Sequence, residues 1–170
     1  MTGGGSRYVD RRAAIKAQLR EIDNIVLLAD AQDDLVVRDY LSRLAVIRLS
    51  GFIETSVEHM LNGFLEESTS HRVLKFGKRQ VSRLPNMNPT KLEQLVGAFD
   101  ANWESEFNQF LAQDERRQLL GNLINSRHAL AHGGTSTVSS ALLRQYHQVA
   151  DETIEFLCGL FVPLPTPSAR

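Results

Sequence analysis

Apolar positions recur at helical spacing through most of the chain, and no stretch sustains the period-two alternation of a strand. From about Arg7 to Ala31, Val9, Ala13, Ala17, Leu19, Ile22, Val26 and Ala29 form one stripe. Arg11, Arg12, Lys16, Arg20 and Glu21 occupy the remaining face, which predicts an amphipathic helix. Asp33 and Asp34 suit the positive end of the next helix dipole. That helix is expected from about Asp34 to Glu67, with no proline to break it. Its middle, Leu44 to Glu54, reads as apolar on most of its circumference, the pattern of a helix central to its domain. Gly51 costs helix stability there and predicts a close neighbouring helix. Arg48 and Glu54 would then be charges on a largely buried element, each needing a partner.

The run His71–Leu84 is basic and predicts a short helix, or two turns, interrupted near Gly77. Asn88 can cap a helix that starts with Pro89, where the missing N–H is harmless. Helices are expected at about Pro89–Phe99, Trp103–Ala112 and Asp114–His132, the last stopped by Gly133-Gly134. A Ser/Thr loop then leads to a final helix at about Val138–Leu160, with Leu142, Tyr146, Val149, Thr153, Phe156 and Leu160 in its stripe. Three prolines end regular structure beyond it. The expectation is an all-α helical bundle of one domain over residues 7–162, between disordered tails at 1–6 and 163–170.

Composition narrows the classes. The formal net charge is −1, so any nucleic-acid partner must be held by a local patch rather than by the whole molecule's field. One cysteine, Cys158, excludes an intrachain disulfide framework and fits a reducing compartment. No apolar run is long enough to span a bilayer and the start lacks a signal-peptide core, so a cytoplasmic protein with no membrane partner is expected.

Candidate chemistry gathers in Asn122–Gly134. At about 100° per residue, Asn122, Asn125, His128 and His132 share one polar stripe. Leu120, Leu123, Ile124, Leu130 and Ala131 lie opposite, and Arg127 falls near the middle of that apolar side. Such a guanidinium must snorkel outward or meet a carboxylate, and Glu54 and Glu58 of the long helix are the partners to test. Arg127 and His132 point roughly 140° apart on an ideal helix, so their convergence needs a frayed last turn or two subunits. A histidine at a helix C-terminus can exchange protons near neutral pH, and an arginine offers a forked positive charge to a phosphate. The competing reading is that His132 satisfies terminal carbonyls while Arg127 anchors two helices. An i, i+4 metal pair from His128 and His132 lacks a third ligand in sequence, so neither metal nor other cofactor is expected. Cys158, Trp103, Phe107 and Phe110 read as core or interface residues. The basic run Arg72–Arg83 could meet RNA phosphates or simply form a solvated face.

Arg127-His128-Ala-Leu-Ala-His132-Gly133 resembles the R-[polar]-x-x-x-H signature of HEPN domains, with His128 where asparagine is usual. Ile47–Glu54, the Asn86–Pro89 loop, Phe99–Trp103 and the Ser/Thr-capped last helix resemble the RiboL-PSP type. The resemblance runs roughly from Asp33 to Leu160 and implies a four-helix core with extra short helices that dimerises around two motif copies. It further implies a metal-independent endoribonuclease of toxin–antitoxin or phage-defence type, with RNA as substrate and an antitoxin or defence protein as possible partner. Arg127 and His132 would be its catalytic pair, supported by His128; Asn125, from the polar stripe, and Glu54, as the partner expected for Arg127, are supporting candidates that the resemblance does not supply. The alternative is a silent helical module that binds a protein, nucleotide or RNA.

Overall fold

A computed structural model describes residues 4–162 except 83, 85, 135 and 136, with side chains from Asp10 onward. Among the described residues there are seven α-helices and no strand: α1 (Gly4–Ala31), α2 (Leu35–Ser68), α3 (His71–Val81), α4 (Pro89–Gly97), α5 (Ala101–Ala112), α6 (Arg116–Ala131) and α7 (Ser140–Phe161). The all-α fold is as expected. α1 begins at Gly4, so helix reaches into the segment expected to be disordered. Residues 1–3 and 163–170, the remainder of the two expected tails, lie outside the described residues.

The helix starts follow from local chemistry. Asp34 accepts from the N–H groups of Val36 and Val37, Asn88 from Lys91, Asp100 from Asn102 and Trp103, and Ser139 from Leu142. Each cap satisfies donors that a first turn leaves unpaired. α6 starts differently. Asp114 and Glu115 adopt left-handed φ of 51° and 58°, and the helix begins at Arg116 rather than at Asp114.

α1 and α2 form an antiparallel pair, with Ile15, Leu19, Ile22, Val26 and Ala29 buried on α1. α7 lies antiparallel to α1, fastened from one end to the other by Arg12–Glu155, Asp23–His147 and Asp30–Arg144. It is parallel to α2, with the Cys158 thiol 3.4 Å from the Met60 sulfur and Phe161 edge-on to Phe64. α6 doubles back along α7. The short helices close the bundle: Phe99 and Trp103 join Phe64 and Phe161 in one aromatic cluster, and Phe107, Phe110 and Phe156 make a second. The expected core of four helices with extra short ones is therefore α1, α2, α6 and α7, capped by α3–α5. One hydrophobic cluster contains residues from all seven helices.

Three expectations need correction. α2 is not apolar and buried all round: Leu44 and Ile47 are exposed, and Arg48 is an exposed side chain paired with Glu21 at 3.1 Å. Gly51 has no close neighbour, since a Cβ built there would find nothing within 4 Å. Gly77 does not interrupt α3; it lets the helix settle on α2, where an added Cβ would lie 2.8 Å from a Leu65 methyl.

Candidate functional site

α6 is held along its length by its neighbours. At its start the Arg116 guanidinium meets Glu152 at 2.7 Å and Asp114 at 3.1 Å, and covers the Phe110 ring at 4.5 Å. That hydrogen bond holds the Glu152 carboxyl below its ordinary range. Arg117 pairs with Glu93 of α4. Leu120, Leu123 and Ile124 are buried, and the Ser126 hydroxyl lies 3.3 Å from that of Tyr146 on α7. Sequence reading missed the Arg116 clamp, whose partner stands 36 residues away with no local signal to point to it.

The other end is built by the glycine pair. The Gly134 N–H donates to the Ala129 carbonyl at 2.8 Å and the Gly133 N–H to that of Leu130 at 3.3 Å, with Gly133 at φ +74°. These crossed bonds are the Schellman termination, which needs a residue free to adopt left-handed backbone. His132 is the cap residue at φ −97° and ψ 17°, outside the helical region. Its N–H still donates to the His128 carbonyl at 3.2 Å, so the last turn keeps hold of His132 and is not frayed.

His132, Asn122 and Asn125 are exposed, and Arg127 and His128 are half-buried. The expected pairing of Arg127 is not found: no ion pair joins it to Glu54 or Glu58 among the described residues, although Glu54 is half-buried on α2, against which α6 packs. This sets Arg127 apart. The other half-buried arginines, Arg11, Arg12, Arg38, Arg43 and Arg116, all hold a carboxylate or a carbonyl. Among the described residues Arg127 has neither hydrogen bond nor ion pair. A guanidinium drawn partly out of water and left with open donors is suited to a visiting anion.

The remaining candidates divide clearly. His147 is engaged by Asp23 at 2.5 Å. Cys158 is core, and burial pushes its thiol up to about 11. Trp103, Phe107 and Phe110 belong to the aromatic clusters of the core. On α3, Lys78 pairs with Glu66 at 2.6 Å, whereas Arg72, Lys75 and Arg79 are exposed and form no ion pair among the described residues. Arg83 lies outside them. Among the described residues no three His, Cys, Asp or Glu side chains gather as a metal site, and no helix is long and apolar enough to cross a membrane.

No curated protein and no solved structure shows significant similarity to the chain. The family described as RiboL-PSP-HEPN matches it over residues 7–162, nearly the whole of the described bundle and all of α6 with its glycine stop. The chain belongs to the HEPN superfamily and, within it, to the RiboL-PSP type.

Proposed function

We propose that the chain is an endoribonuclease whose reacting groups are Arg127 and His132, assembled where two copies of α6 meet. The observation that carries this reading is Arg127 itself, the one half-buried arginine among the described residues with no partner inside the chain. An arginine that merely anchored two helices would have its carboxylate. Family membership supports the same assignment, since the match spans both residues and their spacing resembles the HEPN motif.

In this chemistry Arg127 binds the scissile phosphate through two parallel N–H donors and offsets charge that builds on its oxygens. His132 takes the proton of the ribose 2′-OH as that oxygen attacks phosphorus. The bond to the 5′ oxygen breaks and that oxygen takes a proton from water, the hydroxide so formed recovering the proton held by His132, which leaves 2′,3′-cyclic phosphate and 5′-hydroxyl ends. His128 and Asn125, on the same side of α6, would orient the strand. Arg127, His132 and water account for the step, so cleavage should persist in a chelator.

Arg127→Ala and His132→Ala should each abolish cleavage of a mixed RNA pool while helical dichroism is retained. Mixing the two inactive proteins then asks where the pair is drawn from. If arginine and histidine come from different subunits, one site of each mixed dimer regains both groups and cleavage returns. Wild-type protein that leaves every RNA intact, or that cleaves only with a divalent ion, would sink the proposal.

A further inference from the structure

α3 contains no acidic residue, and its eleven positions divide sharply around the helix. Leu74, Gly77 and Val81 face inward: Val81 is buried, Leu74 packs against the hydrophobic cluster and Gly77 rests on Leu65 of α2. At about 100° per residue, Arg72, Lys75, Phe76 and Arg79 fall within roughly a third of a turn on the opposite side. None of the three cations has an ion pair or hydrogen bond among the described residues. Glu66 of α2, which reaches α3, is already held by Lys78 at 2.6 Å and Arg11 at 3.3 Å. Set among the free cations, the Phe76 ring is 64% exposed. Cations alone describe a solvated face. The informative feature is the combination, an open π face between unanswered positive charges.

We infer that this face of α3 binds a single strand of RNA, its phosphates on Arg72, Lys75 and Arg79 and one unstacked base on Phe76. Single strands are held by this pairing of chemistries, a positive track for the backbone and an aromatic platform for a base. The whole molecule, at a formal net charge of −1, offers no general attraction, so a local patch of this kind is what such a strand requires. From Arg72 to Arg79 the helix rises roughly 10 Å, about three phosphate steps at the stacked spacing of 3.4 Å. A duplex would keep its base faces inside the stack and leave the ring without a partner. A lipid surface asks for the reverse arrangement, a continuous apolar face with cations along its borders. α3 uses its apolar face against α2 and turns one ring outward amid charge. Naming the strand as RNA rests on the ribonuclease reading above.

The face stands apart from the motif. Cys158 of α7 touches Met60 of the parallel helix α2. Tyr146 precedes Cys158 by twelve residues and Arg48 precedes Met60 by twelve, so the two are level. Ser126 contacts Tyr146, which puts Arg127 at the height of Arg48. Leu65, under Gly77, lies seventeen residues further along α2, on the order of 25 Å. A strand that touches both places needs at least about seven nucleotides at stacked spacing. The α3 face is therefore a tether for long strands, remote from the reacting phosphate.

Binding is read by the anisotropy of a labelled single strand of about twelve nucleotides, on full-length His132→Ala protein so that the strand survives. Phe76→Ala should weaken binding about ten-fold, and Phe76→Leu as much, because leucine keeps the apolar bulk and loses the π face. Phe76→Trp should retain it. Three phosphate contacts give a log–log salt slope of about −2, and Arg72→Gln or Arg79→Gln should each lower its magnitude by about 0.7. Arg20→Gln, an exposed charge on α1, should leave slope and affinity as they were. Dichroism confirms that each variant is folded. In otherwise wild-type protein, Phe76→Ala should raise KM about ten-fold for strands beyond ten nucleotides, with kcat unchanged, and should leave cleavage of a strand of about four nucleotides untouched. Undiminished binding by Phe76→Ala or Phe76→Leu, a slope unmoved by the arginine changes, or vesicles of anionic lipid bound through Phe76 while RNA is ignored would overturn the inference. Strand binding through α3 without cleavage would retire the catalytic proposal and keep this one. Cleavage of long strands with a KM indifferent to Phe76 would do the reverse.

Discussion

Beyond Ala131 the chain turns back through a left-handed Gly133, and the Gly134 N–H reaches the carbonyl of Ala129. A methyl added at Gly134 would lie 2.9 Å from that carbonyl oxygen, which is backbone and cannot step aside. Gly133→Ala meets a different obstacle, the steric penalty of φ +74° for a side chain, about 1–2 kcal/mol. Either change should lower the melting temperature by a few degrees. Cleavage should fall further than that loss of stability accounts for, because the turn sets the direction of His132; melting curves and rates on the same samples check this. Arginines should divide by what they hold. Arg127→Ala strands no buried carboxylate and should change stability by no more than about 0.5 kcal/mol. Arg116→Ala frees Glu152, Asp114 and the Phe110 face and should cost about 1–2 kcal/mol near neutral pH. The sign of its pH dependence follows from the lowered Glu152 pKa. The contribution is fully present above about 4.5, Glu152's ordinary value, and is lost as pH falls through its folded value. The gap between wild type and Arg116→Ala in urea melts should therefore narrow from pH 6 to pH 3.5; a constant gap would show that the clamp is not ionic.

At the scale of helices, Gly77 shows how a residue read as a break can be a contact. Gly77→Ala should cost little, because the atom it meets is the movable end of Leu65, whereas Gly77→Val should lift α3 from α2 and cost about 1–3 kcal/mol. Hydrogen exchange along residues 71–81 measures that release. Some helix ends were readable because they depend on neighbours in sequence: Asp34 and Asn88 at the starts of α2 and α4, and the Gly133-Gly134 stop. What the pattern could not say is which faces are covered. Leu44 and Ile47 look like core because an apolar residue at helical spacing reads the same whether or not a neighbouring helix covers it. Arg127 carried the same ambiguity. A helical wheel put it on the apolar side of α6, correctly half-burying it, yet whether Glu54 reaches it depends on how α2 and α6 are rotated, which no local pattern encodes.

Across the whole molecule, α7 is the strut that the other core helices lean on. Arg12 of α1 donates to the Val162 carbonyl at 2.8 Å and to Glu155, so the first helix holds the last by its end. Arg12→Ala should fray α7 from Phe156 onward and loosen Phe161 from the aromatic cluster, which the fluorescence of Trp103 would report. Deep in that strut sits the chain's one thiol. Cys158 is buried against Met60, and its pKa of about 11 leaves only about one molecule in a thousand ionised at pH 8. A thiol so placed is a clock. An aromatic disulfide reagent can reach it only when α7 parts from α2, so its colour develops at the pace of that opening, with no label or engineered site required. Followed against protein concentration, the same clock reads assembly: if two copies meet as the proposed site requires and brace each other, the colour comes more slowly as the solution grows denser.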